Sequence, residues 1–495
     1  MFKMGFDNEQ YLKLQSREIK ERISYFGEKL YLEFGGKLFD DFHAARVLPG
    51  FEPDSKIRML SELRDEAEVI IAINAGDIEK NKVRGDLGIT YDLDVLRLID
   101  AFVGYGLMVS SVVMTRYRST PAADAFIEKL DKLGVKVYKH YEIIGYPHNI
   151  PLIASDEGFG KNEYIETTRP VVIVTAPGPG SGKMATCLSQ IYHDSRRGVK
   201  AGYAKFETFP IWNIPLNHPV NSAYEAATAD LADVNMIDPF HLEAYGKPAV
   251  NYNRDVEVFP VLSAILKEIL GSCPYSSPTD MGVNMAGFCI VDDEAVSAAA
   301  KQEIIRRYYT ALCNVRKGVG GEAEVEKIEL ILRRLGTDAM LDRPCVLAAL
   351  GKSEETSAPA VAIELNDGRV VTGKTSPLLG ASAAALLNAL KAIARIPDST
   401  DVISPEILAP IQKLKTENLG NHNPRLHTDE VLIALAVSAV NNPDSKHAMD
   451  ALPSLRNAEV HSTVILSQVD VATFRKLGVQ LSCEPKYQTK KLYHN

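Results

Sequence analysis

Residues 169–198 read RPVVIVTAPGPGSGKMATCLSQIYHDSRRG. The β-branched run Val171–Thr175 leads into a turn rich in glycine and proline, and then into a stretch of helical character. This is the strand-turn-helix context in which a phosphate-binding loop operates. Gly178, Gly180 and Gly182 have no Cβ, so the backbone there can adopt positive φ and aim several N–H groups into one concavity. A helix beginning near Gly182 adds unpaired N–H donors and the positive end of its dipole, and Lys183 can reach phosphate oxygens as a point charge. With the hydroxyls of Ser181 and Thr186, these residues form the candidate phosphate site. The turn departs from GxxxxGK[ST] twice: Pro177 stands where the first glycine belongs, and Met184 stands where a hydroxyl would bind Mg2+. A tight strand-to-helix turn that binds nothing is the competing reading.

The strands around this turn set the fold class. Upstream, residues 68–74 (EVIIAIN), 107–115 (LMVSSVVMT) and 135–138 read as strands, alternating with helical spacing over 92–104 and 122–133. The alternation predicts an α/β fold with a mostly parallel sheet, helices on both faces, and ligands beyond the carboxyl ends of the strands. Downstream, residues 198–208 (GVKAGYAKFET) form the next strand, placing Lys205 and Glu207 at the same edge as Lys183. Lys183 and Lys205 are therefore the candidate catalytic cations. Glu207 and Asp238 are candidate acidic contacts for Mg2+, with a helix cap as the competing role of Asp238.

Loops after other strands supply further candidates. Residues 33–51 (EFGGKLFDDFHAARVLPGF) offer Lys37 and Arg46 as anion clamps, and place Asp40 and His43 three apart, on one face of an expected helix. Asp77, Lys82 and Arg84 lie in residues 74–88, and Arg116 follows the strand 107–115. Solvated charges on an amphipathic helix or a long loop would account for the same residues. Residues 155–161 (SDEGFGK) read as a lid or turn.

At 495 residues the chain exceeds one hydrophobic core and should divide. An N-terminal α/β domain is expected over 1–232, a helical domain over 233–340, and a smaller C-terminal α/β domain over 341–495. The middle part carries helical spacing at 261–270, 293–315 and 322–335, and its loop 274–287 is too polar and turn-rich for a core. The last part opens with a helix at 344–350. A hairpin follows, 360–365 with 369–372, turned at Asn366-Asp367-Gly368, and then an alanine-rich helix at 381–394. Polar residues gather at Arg425, His427 and Asp429, with His422 nearby, in a spacing that suits loop packing or an interface rather than zinc.

A net charge of −9 argues against a nucleic-acid partner, and no apolar run approaches the roughly 20 residues that span a bilayer. Six scattered cysteines without a CxxC pair fit neither a disulfide framework nor a thiolate zinc site. With residues 1–20 polar rather than signal-like, a cytoplasmic protein in a reducing compartment is expected. Its partners would be a small-molecule substrate and further copies of itself, as a homo-oligomer. ATP and Mg2+ are the cofactors such a loop would use, and there is no zinc, haem or flavin signature.

Three resemblances sharpen this. The strand-loop-helix and following strand resemble P-loop enzymes of the dethiobiotin synthetase type, which implies a catalytic role for the lysine of the later strand, Lys205. The hairpin and helix of 360–390 resemble the opening of the cytidine-deaminase fold, but the helix begins Ala381-Ser382-Ala383, without zinc ligands or a proton-shuttling glutamate. An ordinary hairpin and helix is the alternative there. Finally, EFGGKLFDDFHAARVLPGF, NAGDIEKNKVRGDLGITYD, TAPGPGSGKMATCLSQ, YAKFETFPIWNIPLNHPVN and NPRLHTDEVLIALAVSA resemble the bacterial family called domain of unknown function 1846, or uncharacterised protein family 0371, over essentially the whole chain. That resemblance implies an N-terminal α/β part, a helical part and a C-terminal α/β part, and assigns no catalytic residue. The expected activity is a phosphate- or nucleotide-binding enzyme of kinase, ligase or phosphotransferase type. The alternatives are a non-catalytic nucleotide or metabolite sensor, and a phosphate-ester hydrolase or transferase that uses no nucleotide.

Overall fold

The computed structural model describes residues 4–84, 87–231 and 233–488. The first residues of the 1–20 stretch, two positions within the 74–88 loop and the expected boundary at 232 lie outside the described residues. The chain divides into two compact units, residues 4–225 with 233–299, and residues 226–231 with 300–488.

The first unit is built on a seven-stranded sheet: β1 (Lys29–Phe34), β2 (Ala67–Asn74), β3 (Met108–Thr115), β4 (Val137–Lys139), β5 (Val171–Thr175), β6 (Ala201–Phe206) and β7 (Gly282–Val283). Their order is β7-β6-β1-β5-β2-β3-β4, and every pairing is parallel. A parallel sheet is covered on both faces, so its inner strands are continuous apolar runs. All five residues of β5 are buried, as are seven of the eight in β2. The helix Lys183–Arg196 lies over β5, β1 and β6, Asn8–Phe26 packs on β1 and β6, and Tyr91–Gly104 packs on β2 and β3. The Tyr31 hydroxyl donates to buried Asp194 at 2.7 Å, tying β1 to the Lys183–Arg196 helix.

The connections decide where a ligand can sit. From β1, β2 and β3 the chain moves toward the β4 edge, whereas from β5 and β6 it moves toward the β7 edge. The loop after β5 thus parts from the loops of both neighbours, and such a reversal opens a crevice at the carboxyl ends of the strands.

Two expectations are corrected here. The stretch 274–287 is not wholly outside the core: Gly282 and Val283 pair with Lys205 and Phe206 as the sheet's edge strand, and Val283 is fully buried. Its polar neighbours find partners, with Asn284 Nδ2 donating to the Pro210 carbonyl at 2.8 Å. Asp40 does not share a helix with His43, because the helix Phe42–Val47 starts after it and is capped by Asp41, which accepts from the Ala44 amide at 3.1 Å.

The second unit carries a four-stranded sheet of β8 (Ala360–Glu364), β9 (Val370–Lys374), β10 (Glu459–Ser462) and β11 (Gln480–Cys483), in the order β9-β8-β10-β11. The β8-β9 and β8-β10 pairs are antiparallel, and β10-β11 is parallel. The hairpin turns at Gly368, with φ 84°. The helix Ala381–Ala394 packs so closely on β9 that a Cβ at Gly373 would stand 2.1 Å from the Ala385 nitrogen. One buried guanidinium organises this unit. Arg343 donates to Glu459 Oε2 at 2.6 Å, Gln302 Oε1 at 3.1 Å, Ser482 Oγ at 3.0 Å, and the carbonyls of Val460 and Gln480 at 3.0 and 2.9 Å. Arg306 holds the other Glu459 oxygen at 2.5 Å. Burial raises the Glu459 carboxyl, but the two arginines more than offset this and hold it below its ordinary value. In the polar cluster, Arg425 Nε donates to the Ser376 carbonyl at 3.0 Å, and His427 Nδ1 lies 3.0 Å from Asp470 Oδ2.

Candidate functional site

The strand β5 ends at Thr175 and the helix begins at Lys183, leaving residues 176–182 as the turn. Gly180 and Gly182 take φ of 77° and 86°, a left-handed backbone that glycine adopts without steric cost. A Cβ at Gly178 would come within 2.2 Å of the Tyr91 hydroxyl, and one at Gly182 within 3.0 Å of Thr115. The turn is pinned from below. Thr115 Oγ1 donates to the Ser181 carbonyl at 2.8 Å, Asn74 Nδ2 to the Gly180 carbonyl at 3.4 Å, and Ser181 Oγ to the Gly178 carbonyl at 2.9 Å.

These bonds consume carbonyls and leave amides. Among the described residues, no protein acceptor takes the N–H of Gly178, Gly180, Ser181, Gly182, Lys183, Met184 or Ala185; Thr186 N–H, bonded to the Gly182 carbonyl at 2.9 Å, starts the helical ladder. A helix start with open amides attracts negative oxygen.

Above the turn lies a cavity of about 450 Å³, lined by Gly180, Gly182, Lys183 and Thr186, by Arg116 at the end of β3, and by Glu33 near the end of β1. His140, Glu142 and Tyr146 line it as well. Arg116 has φ 50°, an uncommon conformation for a residue with a side chain, placed directly after β3. Backbone held this way clusters at ligand sites. Glu142 is paired with Arg118, whose hydrogen bond holds the carboxyl below its ordinary range.

His140 is buried, and its Nε2 lies 3.1 Å from the Glu163 carbonyl, so that nitrogen carries the proton. Burial pushes the imidazole from 6.5 down to about 4, with the bond to Glu163 pulling it back. A histidine whose folded value is depressed favours the unfolded chain whenever it is protonated. Its contribution is intact above pH 6.5 and is lost as pH falls toward 4, by about 3 kcal/mol in total. Denaturant melts between pH 7 and 4 should show a fall in stability to which buried His193 and His461 also contribute, and His140→Gln should make that fall shallower.

The other residues singled out from the sequence stand elsewhere. Lys37, Arg46, Asp77, Lys82, Arg84, Lys205, Glu207 and Asp238 are not among the residues lining the cavity. Lys82 pairs with Asp77 at 3.4 Å and lies 4.8 Å from the centre of the Tyr91 ring. Arg84 binds buried Asp94 at 3.0 Å and approaches Asp40 at 3.9 Å. Lys37 is exposed on the loop after β1, and Arg46 lies in the helix Phe42–Val47. Lys205 is clasped by Glu207 at 2.8 Å and by Asp255. Asp238 is buried and caps the helix Pro239–Tyr245. Its Oδ1 accepts from the amides of Phe240 and His241 at 3.0 and 3.1 Å, and its Oδ2 from the Thr279 amide and hydroxyl at 3.2 and 2.6 Å. Thr186 Oγ1 donates back to the Gly182 carbonyl at 3.0 Å. Among the described residues no group of three or more His, Cys, Asp or Glu stands together as metal ligands, and no helix is long and apolar enough to cross a membrane.

Glu33, His140 and Tyr146 were not singled out in the sequence. The available signal for Glu33 was a lone carboxylate near the end of KLYLEF, just before Gly35-Gly36.

Comparison with known proteins agrees with the resemblance over the whole chain. The N-terminal model of the domain of unknown function DUF1846 matches residues 4–336, and the C-terminal model matches residues 341–493. A UPF0371 protein of Streptococcus thermophilus (strain LMD-9) is 58% identical over 493 residues, covering 100% of both chains. A UPF0371 protein of Streptococcus pneumoniae serotype 2 (strain D39) is likewise 58% identical over 493 residues, with the same full coverage. The chain therefore belongs to the DUF1846 family, whose curated relatives are named UPF0371 proteins.

Proposed function

We propose that this chain is an enzyme of small-molecule metabolism that grips a phosphoryl group of its substrate on the turn 178–182 and Lys183, in the manner of a P-loop. The observation that carries this reading is the set of open amides at Gly180, Gly182, Lys183, Met184 and Ala185, residues that line a cavity also lined by Arg116. A volume of about 450 Å³ lies within the range usual for small-molecule sites. Fixed donors and cations are what phosphoryl chemistry asks of a protein, since most of its catalysis is positioning and charge stabilisation.

The Mg2+ site of ordinary nucleotide hydrolases is poorly matched by the donors present. Met184 replaces the hydroxyl, Thr186 and Ser181 bond to backbone carbonyls, and Asp238 is saturated by its cap. This favours a phosphate-ester transferase or hydrolase over an ATP-dependent kinase or ligase. A sensor that binds without turnover shares the anion site and is separated by product formation alone.

The test is calorimetric titration with inorganic phosphate, diphosphate, glucose 6-phosphate and ATP, each with and without Mg2+. Phosphate and its esters should bind with affinities indifferent to Mg2+. Absence of binding by every one of these anions would sink the reading, and binding of ATP only with Mg2+ would restore the kinase or ligase alternative.

A further inference from the structure

We infer that the ligand of this cavity is a phosphorylated amine, with its phosphate on the glycine turn and its ammonium group against Glu33. The inference rests on the phosphate reading above and extends it to the rest of the ligand.

The sheet order spaces the two ends. Glu33 on β1 stands in register with Val174 of β5, the strand that feeds the turn, whereas Arg116 follows β3 on the other side. Adjacent strands lie about 4.8 Å apart, so Glu33 is about one strand spacing from the turn, and about three, on the order of 14 Å, from the strand that carries Arg116. Lys183 and Arg116 supply cations to the cavity lining, and Glu33 supplies a carboxylate. A short aliphatic linker bridges one strand spacing.

Glu33 is held ready for a donor. The Tyr203 hydroxyl donates to its Oε2 at 2.7 Å, and among the described residues nothing bonds to Oε1. The charge around it calls for a cation. Glu33 faces Lys205 in register on β6, but Lys205 is already clasped by Glu207 and Asp255, so three carboxylates share one lysine. Burial pushes the Glu207 carboxyl up to about 7, with Lys205 pulling it down and Asp255 pushing it further up. A neutral hydroxyl would satisfy the hydrogen bond at Glu33 and leave the charge uncompensated; an ammonium satisfies both.

The test compares O-phosphoethanolamine with ethyl phosphate, which lacks only the amine, by calorimetry on the full chain. Wild type should prefer the amine by at least about tenfold. Glu33→Gln, which keeps size and shape, should bring that ratio close to one by removing the preference for the amine, and Tyr203→Phe should give an intermediate ratio. Equal affinities in wild type would overturn the inference without any variant, as would a preference that Glu33→Gln leaves intact. If neither ester binds, the phosphate reading itself has failed; if ethyl phosphate binds and the amine adds nothing, only the inference has.

Discussion

Lys183→Ala is expected to weaken the binding of inorganic phosphate and phosphate esters by roughly 30- to 100-fold, with the fold intact. Lys183 is the first residue of its helix and lines the cavity, so its loss removes a charge-assisted hydrogen bond to the ligand and little packing. Such a bond contributes about 2–3 kcal/mol when the anion is held in a confined site. The open amides remain in the variant, so residual binding should persist and should fade at high salt less steeply than in wild type, because one mobile charge has gone. An unchanged affinity in Lys183→Ala would place the bound anion away from the turn.

The second large effect belongs to the C-terminal unit. Arg343→Ala should destabilise it by about 3–5 kcal/mol, visible as a lowered denaturant midpoint for its unfolding transition. The substitution strands Gln302, Ser482, two carbonyls and one oxygen of Glu459, which Arg343 satisfies with five donated bonds. Arg343→Lys keeps the charge but not the planar fork, and should fall between wild type and alanine. The paired arginines also set a pH dependence. Because they hold Glu459 below its ordinary value, their stabilisation is present above the unfolded carboxyl value and is lost as pH falls through the folded one. A midpoint for Arg343→Ala within error of wild type would contradict this account.

The fold was legible where strands are sealed on both faces. EVIIAIN and VVIVT are continuous apolar runs because neither side of β2 or β5 meets water, and such runs survive without any knowledge of pairing. β1 was not read, since KLYLEF carries Lys29 and Glu33 near its ends, and β7 is two residues inside a polar loop. The site was legible as far as chain-local chemistry goes: glycines before a helix, Lys183 at its start, Arg116 after a strand. Glu33 and His140 join them through strand order, with β5 inserted between β1 and β2, and no spacing in the sequence announces that insertion. The converse explains Asp77, Lys82 and Arg84, whose charges are taken up by one another and by Asp94.

That insertion also governs how the protein is made. Leu30 pairs with Val171 and Ala67 pairs with the same residue from the other side, so β1 and β2 have no direct partner in each other. As the chain leaves the ribosome, the first strand must wait until most of the first unit has been synthesised before its neighbour emerges. Contacts this distant along the chain slow folding and leave apolar edges unpaired meanwhile. A nascent segment that stops short of residue 171 is thus expected to depend on chaperones, and the arrival of VVIVT to join β1 to β2.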